Sequence, residues 1–403
     1  MEEIINDKET AEKIKINVGA WMKEGDLSVK REGMNATEAF IQNEIEKYEK
    51  YLKTINPVFT TIEEAKQIAQ FSYIGAVNSS AKIAKGTKKN YQTFIVYLAA
   101  AKQSGREVCA GRSKGCTAAC LYNSGRSGVA DATIASRANE KGEIPLNTLI
   151  QFSVIKLARI KRTILFFEHR QFFVDWLIAE IKIAQCVALA QEINFAVRLN
   201  GTSDLNPTTF LTTKNKRNEE LNILQVLPDV QFYDYTKVFG RIEVSKKYKN
   251  YNLTYSYSGE NKEKAIEALE SGINVSVVFG GLKKNEDLPS KWEFPNTGKT
   301  FEVIDGDEND LRFLDETPRI VGLKYKLSAK DSDKNTEFVQ KISGVNDGNC
   351  GCAMGGEVQY VNKQFKKSKN KAKTKGIGMA YNEQAVNEVP PKKKNYWPFV
   401  GWD

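Results

Sequence analysis

The stretch NLTYSYSGENKEKAIEALESGINVSVVF, residues 252–279, is the segment from which the fold can be read. Its ends, Asn252–Tyr257 and Asn274–Phe279, are rich in β-branched and aromatic residues and read as two buried strands. Between them Glu260–Ser271 consists mostly of helix formers, and Gly272 stands where a helix needs a residue able to turn left-handed. Strand, helix and strand in so short a space make a β-α-β unit, and parallel strands follow from it.

The same reading extends outward. Tyr91–Ala100 is a first buried strand, set between the breakers Lys88-Lys89-Asn90 and Ser104-Gly105. Further apolar runs recur at Phe195–Leu199, Val230–Tyr233, Thr300–Ile304 and Ile320–Tyr325, and Ile150–Ile193 carries a helical pattern broken near Glu168-His169. The expected class is α/β, with a partial or complete (β/α) barrel-like parallel sheet. Residues 1–57 form an N-terminal helical extension, in which Ala39, Phe40, Ile45, Tyr48 and Leu52 share one face before Asn56-Pro57 ends the run. Residues 58–345 hold the core. Residues 346–403 carry Cys350-Gly351-Cys352 and a basic C-terminal tail too polar to bury a core.

In parallel α/β folds the carboxyl ends of the strands share one face, and that face holds the site. Here the runs finish in Arg198-Leu-Asn200-Gly-Thr202-Ser203-Asp204, Asp234-Tyr-Thr-Lys237, Ser256-Tyr-Ser258 and Asp305-Gly-Asp307. Turn chemistry accounts for some of these residues, but Arg198, Asp234 and Lys237 are read as other than turn formers. The sequence therefore nominates Asp234, Lys237, Asp305 and Asp307 as catalytic groups. Asn200, Thr202, Ser203, Asp204, Ser256 and Ser258 are nominated to hold a cofactor or substrate.

The loop after the first strand, residues 105–128, contains Cys109-x6-Cys116-x3-Cys120 among five glycines. Six cysteines in 403 residues are too few for a disulfide scaffold, and three within twelve residues point to metal or catalysis. Arg106, Arg112, Lys114 and Arg126 surround the trio and are expected to favour thiolate. Three protein ligands leave one coordination position open, which suits a 4Fe-4S cluster, with zinc as the alternative. Cys350, Cys352 or His169 are available as a fourth ligand. Cys186, between apolar neighbours, reads as a core residue.

The formal charge of +9 sits mainly in the tail, where Lys363–Lys394 holds ten lysines against Glu383 and Glu388. Lys366–Lys375 is therefore the segment expected to contact nucleic acid through phosphate, with a merely solvated tail as the alternative. The apolar region Thr163–Ala190 is interrupted by Glu168, Arg170, Asp175, Glu180 and Lys182, so no membrane span is expected. With no leader-like segment at the start, the expected location is cytoplasmic.

The order of strand, glycine-rich three-cysteine loop and parallel strands with polar ends resembles the radical S-adenosylmethionine enzymes over residues 90–330. That resemblance implies S-adenosylmethionine as a ligand of the cluster. The phrases CAGRSKGCTAACLYNSGR, VRLNGTSDL, QFYDYTK and VIDGDENDLRF resemble a phage-encoded family of uncharacterised activity, gene product eighty-eight. The resemblance implies a phage or mobile-element origin and, if the chain is phage-encoded, the host cytoplasm. Three functions remain open on the sequence: an iron-sulfur enzyme with an unknown substrate, a zinc-stabilised nucleic-acid-binding protein, and a phage structural or host-interaction protein.

Overall fold

The computed structural model describes residues 32–118, 120, 130, 133–134, 136–139, 144–280, 282, 286–325 and 337–341. Outside them lie residues 1–31 of the expected helical extension, Gly125, Arg126 and Gly128 of the cysteine loop, Cys350, Cys352, and the tail with Lys366–Lys375.

The chain enters through helix α1 (Glu32–Leu52), which buries Phe40, Ile45, Tyr48 and Leu52. These fall on the face expected from their spacing. The short helix α2 (Ile62–Ala69) begins at Thr61, whose hydroxyl accepts the Glu64 N–H. An edge strand β1 (Gly75–Val77) then pairs antiparallel with β2 (Tyr91–Val96).

After the cysteine loop come two long helices, α3 (Leu146–Glu168) and α4 (Arg170–Ala190). His169 alone separates them, at the expected break; its backbone N–H donates to Leu165 O at 2.8 Å, and its Nε2 lies 3.0 Å from Leu52 O. Phe172, Phe173, Trp176, Leu177 and Ile181 of α4 are buried. Cys186, expected in the core, is instead exposed, as are Val187 and Leu189 beside it. An amphipathic helix buries one stripe only, and a run of neighbouring apolar residues cannot all lie on it.

Five parallel strands follow one another across the sheet: β2, β3 (Asn194–Arg198), β4 (Gln231–Thr236), β5 (Tyr251–Ser256) and β6 (Val275–Gly280). The helix α5 (Arg241–Lys247) connects β4 to β5, and α6 (Lys262–Glu270) connects β5 to β6. Beyond β6 the order changes. β7 (Lys291–Glu293) is the far edge, antiparallel to β8 (Thr300–Asp305), and β9 (Ile320–Lys324) lies between β8 and β6, parallel to both. Residues 278–280 of β6 also pair with β10 (Val339–Lys341). Because β9 occupies one side of β6, β10 must take the other, just past the point where the β5 ladder stops at Ser256–Ser276.

The fold is thus mixed α/β with a mostly parallel sheet; the central strands β4, β5 and β6 are largely buried on both faces, whereas β8, next to the far edge, has no buried residue. It is not a complete barrel, since the sheet ends in antiparallel strands at β1 and β7. Side chains link the two flanks instead. Lys85 Nζ donates to Asp307 O at 2.7 Å, Lys89 meets Glu308 at 3.4 Å and Lys82 meets Asp310 at 3.1 Å. No helix among the described residues is long and apolar enough to cross a membrane.

Candidate active site

At the carboxyl ends of the parallel strands, the segment after β3 packs against the segment after β2. Asp204 N donates to Val108 O at 2.7 Å, and the Cys109 thiol lies 3.6 Å from Thr202 O. Gly201 makes this approach close, since a Cβ there would stand 2.7 Å from both Val96 O and the Tyr97 ring; Gly111 likewise lets the loop approach the segment after β4, where a Cβ would stand 3.1–3.2 Å from Val238 and Lys237. Cys116 sits on the single helical turn Lys114–Ala118, with its N–H donating to Ser113 Oγ.

These contacts enclose a cavity of about 240 Å³ lined by Cys109, Cys116 and Cys120 together with Asn200, Thr202, Ser203, Asp204, Lys237, Ser256 and Asp307. Most of the nominated residues are therefore brought to one place. Inside it, Asn200 organises the turn: its Oδ1 accepts from Ser203 Oγ at 2.8 Å and Leu205 N at 2.9 Å, and its Nδ2 donates to Leu205 O at 3.0 Å. Asp204 accepts from Thr236 Oγ1 at 2.7 Å, Lys237 N at 2.8 Å and the Arg241 guanidinium. The Ser276 hydroxyl donates to Ser256 Oγ at 3.1 Å.

Three nominated residues do not line the cavity. Asp234 is fully buried behind it, accepting from Asn200 N at 2.7 Å, Asn200 Nδ2 at 2.8 Å and Tyr251 OH at 3.2 Å, with Arg241 at 3.4 Å. It positions Asn200 and touches no open space. Burial pushes its carboxyl up, against the pull of Arg241 and Asn200. Ser258 is buried in the turn after β5, where its N–H donates to Asn261 Oδ1 at 2.7 Å. Asp305 is exposed and accepts the Asp307 N–H at 2.8 Å, which closes the turn after β8.

The cavity also has Lys82 and Tyr235, which the sequence did not single out, and Arg198, which it marked at a strand end without a role. Lys82 and Arg198 both meet Asp310, at 3.1 and 2.7 Å, and the Arg198 guanidinium lies 4.7 Å from the centre of the Tyr235 ring. Arg312 pairs with Asp315 at 3.2 Å and donates to Asn309 O at 2.8 Å, fixing this loop. Burial alone would raise the Asp310 carboxyl, but Arg198, Lys82 and Arg312 outweigh it and hold it well below the usual carboxylate range.

At Cys109 the electrostatics run against the expectation of a ready thiolate. Burial pushes the Cys109 thiol up to about 12. Two of the basic residues of this loop are paired with carboxylates: Arg106 with Glu49 at 2.7 Å and with Glu168, and Arg112 with Glu107 at 3.0 Å. The donor chemistry of three thiols on one cavity suits a soft metal centre. Their placement does not complete one, since among the described residues no group of three or more His, Cys, Asp or Glu side chains converges to hold a metal ion. His169 offers no fourth ligand here, being held at the α3–α4 junction.

Comparison with curated proteins and with solved structures finds no match. The Gene product 88 family model matches residues 75–341, which begin at the first residue of β1 and end at the last of β10. The sheet, the cysteine loop and the cavity all lie within it, and the chain belongs to the phage-type Gene product 88 family.

Proposed function

We propose that this chain is an enzyme of the host cytoplasm that works in the strand-end cavity and uses Cys109, Cys116 and Cys120 as ligands of an iron-sulfur cluster. The observation that carries the reading is that all three cysteines line the same cavity as the polar ends of β3, β4, β5 and β8. A trio scattered for packing alone has no reason to share one opening with strand-end functional groups. Three thiolates are a ligand set that leaves one iron of a 4Fe-4S cluster free for a small molecule, and S-adenosylmethionine is the molecule that the layout of the fold suggests. Among the described residues the three thiols line one cavity without converging as a finished ligand set. A purely structural or host-interaction protein has no need of such a cavity.

The test is metal analysis and an absorption spectrum on protein purified anaerobically, with Cys116→Ser and Cys186→Ser prepared in parallel. Iron with sulfide in the wild type and in Cys186→Ser, but not in Cys116→Ser, is the expected result. Zinc in place of iron would move the trio to a structural or Lewis-acid role, and neither metal would remove the reading.

A further inference from the structure

Resting on the reading that this cavity is the working site, we propose that it takes a small molecule bearing an oxyanion, a phosphate monoester or a carboxylate, with Arg198 and Lys237 as the groups that bind it. Five cations line the cavity, Lys82, Arg112, Arg198, Lys237 and Lys324, against two carboxylates, Asp204 and Asp307. Asp204 is already committed to Arg241, Thr236 and the Lys237 backbone. The carboxylates just outside the cavity account for part of the excess: Glu107 answers Arg112, and Asp310 is shared between Lys82 and Arg198.

Lys237 is left without a carboxylate among the described residues, and its ammonium lies 5.3 Å from the centre of the Phe338 ring. Arg198 is only partly used. Its Nη1 donates to Asp310 at 2.7 Å, its buried Nε has no acceptor, and no described atom accepts from Nη2. Asp310 and the Tyr235 face hold the guanidinium still, so its free donors are fixed in place before a ligand arrives. A planar fork held in this way suits the two oxygens of a carboxylate or phosphate, and Lys237 adds a mobile point charge. A buried guanidinium with unanswered donors is costly unless something fills the position, and an oxyanion does so.

The experiment uses the full chain, with thermal shift and calorimetric titration of inorganic phosphate and, separately, succinate, each against chloride at equal ionic strength. Saturable stabilisation by one or both is expected, and which of them acts distinguishes phosphate from carboxylate recognition. Lys237→Gln breaks no ion pair among the described residues, so it should fold normally and weaken binding about ten-fold, while Arg198→Gln should weaken it at least as much. No response to either probe beyond that of chloride, or unchanged affinity in Lys237→Gln, overturns the proposal. Metal content measured on the same preparations separates the two claims. Protein that holds iron but binds neither probe sinks the oxyanion site alone, and protein without metal that binds phosphate sinks the iron-sulfur reading alone.

Discussion

Arg198, at the carboxyl end of β3, and Asp310, in the connection between β8 and β9, meet at 2.7 Å although 112 residues apart in the chain. Their contact ties the two flanks of the sheet, whose edge strands β1 and β7 are not paired with each other. Asp310 is 1% exposed and lies within reach of Lys82, Tyr233 and Tyr235 as well. One buried carboxylate therefore organises one wall of the cavity.

Replacing Asp310 by Asn should be strongly destabilising. The amide keeps the shape but leaves Arg198 and Lys82 without their shared counter-charge, and breaking a buried pair by removing one partner costs about 3–5 kcal/mol. Denaturant unfolding measures it. A loss below about 1 kcal/mol would show that water or another group answers these cations.

Gly201→Ala tests the close crossing of the β3 turn over the end of β2. The added methyl would stand 2.7 Å from Val96 O, a backbone atom, and also from the Tyr97 ring. Gly201 N donates to that same carbonyl at 2.9 Å, so the turn cannot back away without losing the bond. We expect a loss of about 1–3 kcal/mol from overpacking, with weakened binding of the probes. A variant as stable as the wild type would place the turn further from β2 than described.

The fold was legible wherever two periodicities met. At residues 252–279 strands, helix and Gly272 all agree, and Gly272 does adopt a φ of 84° after the helix. The edge strands β1, β7 and β10 are three residues each, too short for any alternation to show. The site was legible as a place, because parallel strands must end on one face, but not in every side chain. Strand residues alternate between faces, and sequence does not say which parity faces the cavity side. Tyr233 and Tyr235 reach Asp310, so Asp234 between them points the other way, toward Arg241 and Tyr251. The charge of the cysteine loop was misjudged for a similar reason: the partners of Arg106, Glu49 and Glu168, are 57 and 62 residues away.

Glu180 should give the fold a pH dependence. From α4 it accepts the N–H groups of Ile74 and Gly75, each at 3.0 Å, and so fastens the start of β1. Burial pushes its carboxyl up to about 7, against those donors and Arg162. A carboxyl with its pKa raised in the folded state binds its proton more tightly folded than unfolded. Its support for the fold is therefore greatest at low pH and is lost as pH rises from the unfolded value through about 7. Between about pH 5 and pH 8 the wild type should lose on the order of 2–3 kcal/mol from this group, and Glu180→Gln should flatten that slope. Equal slopes for the two proteins would show that Glu180 is ionised in both states.

Asp305 and Asp307, two residues apart, should behave differently. Asp305 is exposed and serves the turn, accepting the Asp307 N–H; an amide oxygen can do the same, so Asp305→Asn should change stability by no more than about 0.5 kcal/mol. It should leave binding of inorganic phosphate unaltered. Asp307 lines the cavity, and its Oδ2 accepts the Lys324 N–H at 2.9 Å. Asn can keep that bond while removing a negative charge from the cavity wall. If the cavity binds an oxyanion, Asp307→Asn should bind inorganic phosphate several-fold tighter, since a nearby like charge has gone. If instead Asp307 holds a cationic group of the substrate, the variant should lose turnover or affinity for that substrate without gaining affinity for phosphate. The sign of the change in phosphate affinity, measured by calorimetry on both variants, decides which role the carboxylate has, and no change in either variant would remove Asp307 from the site.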